Sequence, residues 1–363
     1  KTDTITIAKP RKVRKVLAST ATLDEVTIRS RRKATSRSYL QSQNVINVSS
    51  AELLKAACCN LSESFETNPS IDVNFADAVT GSKQIRMLGL TTPYTLITTE
   101  NIPTIRGASQ AYGLTFIPGT WVESIQITKG AGSVVNGFES IAGQINTELV
   151  KPSTDDRVFV NAYGAANGRL ELNTHLNTKV SEKWDTGLYV HGNYRGEKND
   201  RNEDGFLDTP LMEQINLMNR WQYIDTEKGF VSFLNLNYLK DDKQIGQTAF
   251  NPDTDRGVAN NWGGEIDTER YGLSFKFGYV FPEIPYQSMG LQVAYSNHDQ
   301  EAYFGLRNYN IQHQSGYVNA LFNSIISDSR HTFKTGLNAT YDDYQELVET
   351  VEYDRTEQSV GAF

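Results

Sequence analysis

The 363-residue sequence has no run of about 18 apolar residues, so it contains no helical membrane span. Hydrophobic residues make up only 38% and mean hydropathy is −0.47. Such values resemble those of a soluble protein, but they do not exclude a transmembrane barrel, which needs only every second residue apolar. Cysteine is nearly absent: Cys58 and Cys59 are adjacent, a spacing unsuited to stapling distant segments, and they carry little information about redox compartment. Catalytic signatures are missing as well. The chain has no G-x-S-x-G, no H-E-x-x-H and no zinc-type cysteine cluster, which argues against an enzyme. It also lacks GK[ST], and G-x-G-x-x-G between a strand and a helix, which removes the common phosphate loops. With neither a start Met nor a signal peptide at Lys1, the sequence is expected to begin inside a longer product or after processing.

What the chain does have is aromatic side chains and alternation. Aromatics reach 10%, with 18 Tyr. From Asp156 onward the periodicity is almost purely two. Leu170, Leu172, Leu176 and Val180 alternate with Glu171, Asn173, His175, Asn177 and Lys179. Tyr271, Leu273, Phe275, Phe277, Tyr279 and Phe281 share one face, opposite Gly272, Ser274, Lys276 and Gly278. Phe333, Leu337, Ala339 and Tyr341 repeat the scheme. The predicted strands run about 10 to 15 residues, longer than the five or six usual in soluble sheets, and crossing a bilayer at a tilt accounts for the excess. Short turns at Ser181–Lys183, Asp225–Gly229, Pro282–Pro285 and Ser327–Arg330 separate longer loops at Gly196–Glu213 and Lys240–Ile266. His175, His191, His298, His313 and His331 alternate with apolar neighbours, which points them toward the lumen.

The most informative stretch is Trp121 to Pro152, WVESIQITKGAGSVVNGFESIAGQINTELVKP. A strand with Trp121, Ile125 and Ile127 on one side gives way to Gly130, Gly132, Gly137 and Gly143 among small residues, then to a second strand over Gln144 to Leu149. This order resembles the end of the plug domain of TonB-dependent outer-membrane receptors, where a strand, a Lys-Gly turn, a small-residue loop and an IAG-x-I-N strand precede the barrel. Upstream, Val45 to Phe65 carries helical signals, with Ser49 or Ser50 as N-cap and Leu53, Leu54, Ala57 and Leu61 at helical spacing. Short candidate strands follow at Asp72 to Phe75, Lys83 to Leu88 and Tyr94 to Thr98. The family usually has Arg-Gly where this chain has Met87-Leu88-Gly89.

The resemblance implies a mainly β fold: a transmembrane antiparallel β-barrel of 22 strands when complete, about ten of them in this sequence, with an N-terminal α+β plug domain inside. The expected organisation is the last strand of a preceding β-sandwich at residues 1–9 (Thr4 to Ala8, TITIA), a linker at 10–43, the plug at 44–152 and the first part of the barrel at 153–363. Residues 1–37 hold 11 Lys/Arg against three acids, a surplus of eight, so the remainder carries about −16 of the total −8. Without interleaved aromatics this basic arm reads as a solvated linker rather than a nucleic-acid binder. Within it, Leu23, Asp24, Glu25, Val26, Thr27 and Ile28 alternate as an edge strand would and are similar to the family's TonB box.

Two constellations point to metals. Asp200, Asn202, Asp204, Phe206 and Asp208, with Gly205 at the turn, have the spacing of a Ca²⁺ loop in which Phe206 offers its carbonyl. Position 12 is Leu211, however, and no EF-hand helices flank the loop. Cys58, Cys59 and Met87 are soft donors suited to a copper-like metal. As the resemblance implies, the protein is an outer-membrane receptor of a Gram-negative bacterium importing a scarce solute, a metal ion or metal chelate favoured, without an organic cofactor. Its partners are then the TonB-ExbB-ExbD system, outer-membrane lipid and the solute. The rivals are a Ca²⁺-dependent secreted adhesin or surface-binding β protein, an enzyme domain behind a peptidase-associated type of β-sandwich, and a receptor for oligosaccharide or peptide.

Overall fold

A computed structural model of the chain describes residues 35–37, 45–49, 60–65, 71–77, 79–284 and 286–363. The TITIA strand, the segment from Leu23 to Ile28, Cys58 and Cys59 lie outside the described residues. Two sheets organise the rest. The first is mixed and six-stranded, built from β1 (Thr35–Arg37), β2 (Val45–Ser49), β5 (Thr95–Thr99), β6 (Ile102–Ile105), β7 (Val122–Lys129) and β8 (Gly143–Leu149) in the order β1-β2-β7-β8-β5-β6. β5 runs parallel to β8 and every other pairing is antiparallel. A small hairpin, β3 (Asp72–Phe75) with β4 (Lys83–Arg86), stands beside it. The glycine-rich stretch lies between β7 and β8, as its two predicted strands require.

The core of this unit is apolar and dry. Ile85, Ile97, Ile125, Ile127 and Ile145 are all at or below 1% exposure and cluster with Leu61, Phe65, Met87 and Leu114. Gly143 makes room for Met87: a Cβ there would lie 2.4 Å from Met87 Cε and 2.6 Å from the Thr128 carbonyl oxygen. The helix expected after Ser49 appears among the described residues only as one turn, Leu61–Ser64, capped by the Asn60 side chain, which accepts from the Glu63 N–H at 3.2 Å. Val45–Ser49 are instead a strand paired to β7. Val45 and Val48, on opposite faces of the strand, are both buried, and pairing with β7 overrides any helical preference.

The second sheet is an eleven-stranded antiparallel wall. It comprises β9 (Val158–Gly164), β10 (Arg169–Lys179), β11 (Trp184–Arg195), β12 (Leu211–Asp225), β13 (Phe230–Gly246), β14 (Gly263–Val280), β15 (Ser288–Phe304), β16 (Arg307–Ile326), β17 (Asp328–Val348), β18 (Val351–Glu352) and β19 (Arg355–Ala362). Neighbours in sequence pair in order, except that β19 joins β17. Its polarity is the reverse of a soluble sheet. Leu170, Leu172 and Leu176 are 58%, 52% and 44% exposed, whereas Glu171, Asn173 and His175 between them are buried. The apolar flank therefore faces outward, and it belongs against lipid.

Aromatic pairs bound that apolar band. At one end Trp184 packs on Tyr223 (4.9 Å between ring centroids) and Phe230 on Tyr279 (4.7 Å); at the other Tyr238 packs on Tyr271 (5.1 Å). Tyr271 and Tyr279 are eight residues apart on one strand, roughly 26 Å along its axis before tilt, the scale of an apolar band between two interfacial girdles. Beyond Tyr271 the outward side chains become acidic: Glu213, Asp242, Asp267 and Glu301 sit directly opposite one another across β12 to β15.

The strands exceed the expected length, with β13 to β17 running 17 to 21 residues. They consume part of the predicted loops, leaving 196–210 and 247–262. Other connections at the same end are tight, among them Gly305-Leu306, so long loops do not alternate strictly with short turns. The end bearing the two long loops is the outer one, since barrels of this type keep short turns on the inner side.

Two substitutions test this layout. Phe275→Arg, outward and near the middle of the band, is expected to cost about 2–4 kcal/mol, read as a lowered urea midpoint for folding in lipid vesicles. Gly143→Ala, forced against Met87 and the Thr128 carbonyl, is expected to cost about 1–3 kcal/mol and to speed proteolysis within 71–149.

Candidate functional site

The inward face of the wall is largely polar and meets a folded domain mainly across hydrogen bonds, with one apolar contact where Trp121 and Leu149 pack on Tyr189 and Met218. Asn216 donates to the Phe116 carbonyl (2.8 Å), Asn319 to that of Val135 (3.0 Å) and Asn338 to that of Val134 (3.4 Å). Three ionic anchors are stronger. Arg169 of β10 holds Glu63 at 2.8 Å. Arg106, just after β6, binds Asp342 of β17 at 2.9 Å and Glu139 at 2.6 Å, and Asp342 also binds His313 at 3.0 Å. Burial alone would lower the Arg106 pKa, but the charges of Glu139 and Asp342 outweigh it and the net shift is upward. Against this anchor lies Gly107, at φ +55°, where a Cβ would come within 2.5 Å of the Tyr344 hydroxyl and 2.7 Å of His313.

The third anchor is the most buried. Arg220, 0% exposed, pairs with Glu100, whose side chain is 3% exposed, and Lys276 stands 3.9 Å from the same carboxylate. Glu100 and Asn101 form the β5–β6 turn with φ of 53° and 64°. Such left-handed conformations are costly away from glycine and persist where surroundings enforce them. Here the enforcement comes from Arg220 on one side and from the Asn146 side chain, which accepts the Asn101 N–H at 2.7 Å, on the other.

On the outer side, plug and wall enclose a basin of about 430 Å³ whose lining includes Lys83, Arg169, Arg195 and Lys243 against Glu63 and Asp208. Arg169 is already paired with Glu63 and Glu171, and Lys243 with Asp241, so the basin presents a dense, mixed-charge polar surface that suits a polar or charged ligand. Lys243 is paired to Asp241 and lies 5.1 Å over the Tyr112 ring and 5.9 Å over Phe116. The long outer loops brace each other: Leu207 N–H donates to the Gly246 carbonyl at 2.9 Å, Thr248 N–H to that of Gly205 at 2.8 Å, and Phe206 packs near Trp262.

The residues singled out from spacing fall in different places. In the 200–208 loop, Asp200 accepts the N–H groups of Asp204 (3.1 Å) and Gly205 (2.9 Å), Asp204 accepts that of Phe206 (2.8 Å) and Asp208 that of Arg201 (3.0 Å). Asn202 donates to Asp204 at 2.8 Å. The carboxylates thus turn to the loop's own donors. Among the described residues no three His, Cys, Asp or Glu side chains converge as a metal shell. Met87 is 2% exposed within the plug core. His175, His191, His298 and His313 face inward and buried, and His331 is exposed. The anchors escaped sequence reading, although Arg220 sits at an inward parity in NLMNRWQY; its partner lies 120 residues away, beyond any local pattern.

A lipid-coated strand wall with a folded domain hydrogen-bonded to its polar inner face is an outer-membrane plugged barrel. Residues 35–144 match the family model described as the TonB-dependent receptor plug domain. No curated protein sequence matches the chain. Among solved structures, the pyoverdine outer membrane receptor FpvA from Pseudomonas aeruginosa is 12% identical with a TM-score of 0.68, over 87% of this chain and 49% of that one. The alcaligin outer membrane receptor FauA from Bordetella pertussis is 13% identical with a TM-score of 0.67, over 89% and 52%. The copper transporter OprC is 12% identical with a TM-score of 0.68, over 91% and 52%. This chain therefore spans about half the length of the receptors it matches. It carries a TonB-dependent receptor plug domain and has the plug-and-barrel fold of those receptors.

The buried anchor is testable. Glu100→Ala leaves Arg220 buried with only part of its compensation and is expected to cost about 3–5 kcal/mol, measured as a lower denaturant midpoint for loss of the plug's protease protection. Glu100→Leu combined with Arg220→Leu is expected to recover most of that loss.

Proposed function

We propose that the protein is a TonB-dependent receptor importing a scarce metal across the outer membrane, preferentially as an anionic chelate. The observation that carries this reading is the mixed-charge basin at the outer junction of plug and wall, with a polar-bonded plug beneath it. A basin in which the guanidinium of Arg195 and the amine of Lys83 stand among paired charges offers donors to the oxygen-rich, negatively charged surface of a chelate. A bare cation has less to hold it, since no three His, Cys, Asp or Glu side chains converge among the described residues. FpvA and FauA are receptors for pyoverdine and alcaligin, and OprC is a copper transporter, so chelate and metal cargo both occur on this fold.

In the proposed cycle, ligand settles on the plug's outer surface and the outer loops close the approach. Leu23–Ile28 adds as a strand to TonB on the inner side, where parallel loading of backbone hydrogen bonds lets a short contact bear force. ExbB and ExbD supply the inner-membrane energy. Pulling the plug breaks polar contacts that water replaces, so the wall survives its departure. No covalent step is required.

The test is uptake of labelled metal, free and chelated, by cells limited for one metal at a time. Deletion of residues 23–28 is expected to abolish uptake while leaving surface binding intact. Arg195→Glu is expected to weaken binding of the anionic chelate about tenfold, the equivalent of roughly 1.4 kcal/mol. Cys58→Ser with Cys59→Ser is expected to leave chelate uptake unchanged, and its loss would favour a soft-metal cargo instead. Growth that depends on the protein only with an oligosaccharide or peptide would overturn the metal reading.

A further inference from the structure

We propose that Arg270 holds a chloride-sized inorganic anion in the seam between plug and wall. The seam contains a cavity of about 160 Å³ lined in part by Arg270, Ser296, Ser315 and Tyr317. Other basic side chains along this seam have a carboxylate: Arg220 has Glu100, Arg106 has Asp342, Arg169 has Glu63 and Lys243 has Asp241. Arg270, among the described residues, makes no ion pair. Its Nη2 donates to the Thr104 carbonyl at 3.2 Å and to Ser296 Oγ at 3.1 Å, and its Nη1 is buried without a partner.

The neighbouring groups point the same way. His298 is directly opposite Arg270 on the adjacent strand and 0% exposed, and neither of its ring nitrogens makes a hydrogen bond of normal geometry. Tyr317, 4% exposed, also lines the cavity, with its hydroxyl turned to the Asn319 side chain. A guanidinium N–H and an imidazole N–H are thus two unsatisfied donors on paired strands, beside a positive charge whose Nη1 is cut off from solvent. Burying a charge without compensation is expensive, and donors left unmade add to the cost. A single small anion resolves both. The cavity also leaves room for water, which satisfies the two asparagine carbonyls facing it, Asn216 Oδ1 and Asn235 Oδ1. The same guanidinium grips the Thr104 carbonyl of β6, so the anion steadies a plug strand against the wall.

This inference rests on the seam geometry alone and stands or falls separately from the identity of the cargo. The experiment uses the full-length receptor, with bromide replacing chloride. Crystals in bromide are expected to show an anomalous bromine peak at hydrogen-bonding distance from Arg270 Nη1, absent from Arg270→Gln. In detergent, bromide is expected to raise the unfolding midpoint of the wild type by a few degrees relative to gluconate at equal ionic strength, with Arg270→Gln unresponsive. A cavity holding only water, or an equal bromide response in Arg270→Gln, overturns the assignment. Arg270→Lys, which keeps the charge with a smaller donor set, separates loss of the anion from loss of the fold: it is expected to retain a weaker bromide response.

Discussion

Lipid on one side of a single layer of strands, and a separately folded domain on the other, is the constraint from which the rest follows. A soluble sheet buries its apolar flank against protein; here that flank is the exposed one, and the buried flank carries Asn173, His191, Asn216, Arg220, His298 and Asn319. The wall consequently has no apolar core of its own. Its cohesion comes from the antiparallel ladder and from the lipid that covers Leu170, Leu273 and Leu337.

Because the wall offers mostly polar groups inward, the plug keeps its main apolar core to itself and shares with the wall only the packing of Trp121 and Leu149 on Tyr189 and Met218. Its isoleucine-rich core closes around Met87 and Gly143, and the wall adds anchors at the periphery: Arg169 to Glu63, Arg106 to Asp342, Arg220 to Glu100. Each anchor is strong while water is excluded and replaceable once water enters. Burying Glu100 with Arg220 favours one position of the plug more than it adds to net stability, since removing either partner strands the other.

The wall was legible because its physics is periodic. A two-residue alternation carried through β10 and β14 identifies an inside and an outside, though it does not say which is wet; strand length and aromatic content decided that in favour of lipid. Strand ends were less legible. Lys240 to Gly246 reads as the start of a loop because its charges break the apolar rhythm, yet Lys240 and Asp242 simply face solvent above the membrane while Asp241 and Lys243 pair inside. The plug's short strands β3, β4 and β5 were found between Gly81, Gly89 and Pro93, whereas β1 and β6 were not. Val45–Ser49 was absorbed into a helical reading because a strand's partner, here β7, is invisible to local spacing. The seam was the least legible part: Glu100 and Arg220, or Arg106 and Asp342, meet only after the chain has folded around them.

The acidic file Glu213, Asp242, Asp267 and Glu301 adds a consequence for the collar that rises above the bilayer. Four like charges facing one another across adjacent strands push those strands apart, against ladder bonds that hold them together. The file spans more than a Debye length at physiological salt, so ions quench the push between its ends while nearest neighbours still feel each other. Dilute surroundings therefore loosen the rim that carries the two braced loops, and brine tightens it. The lipid-facing flank below, whose outward side chains on β14 are uncharged from Tyr271 to Tyr279, has no such repulsion to screen.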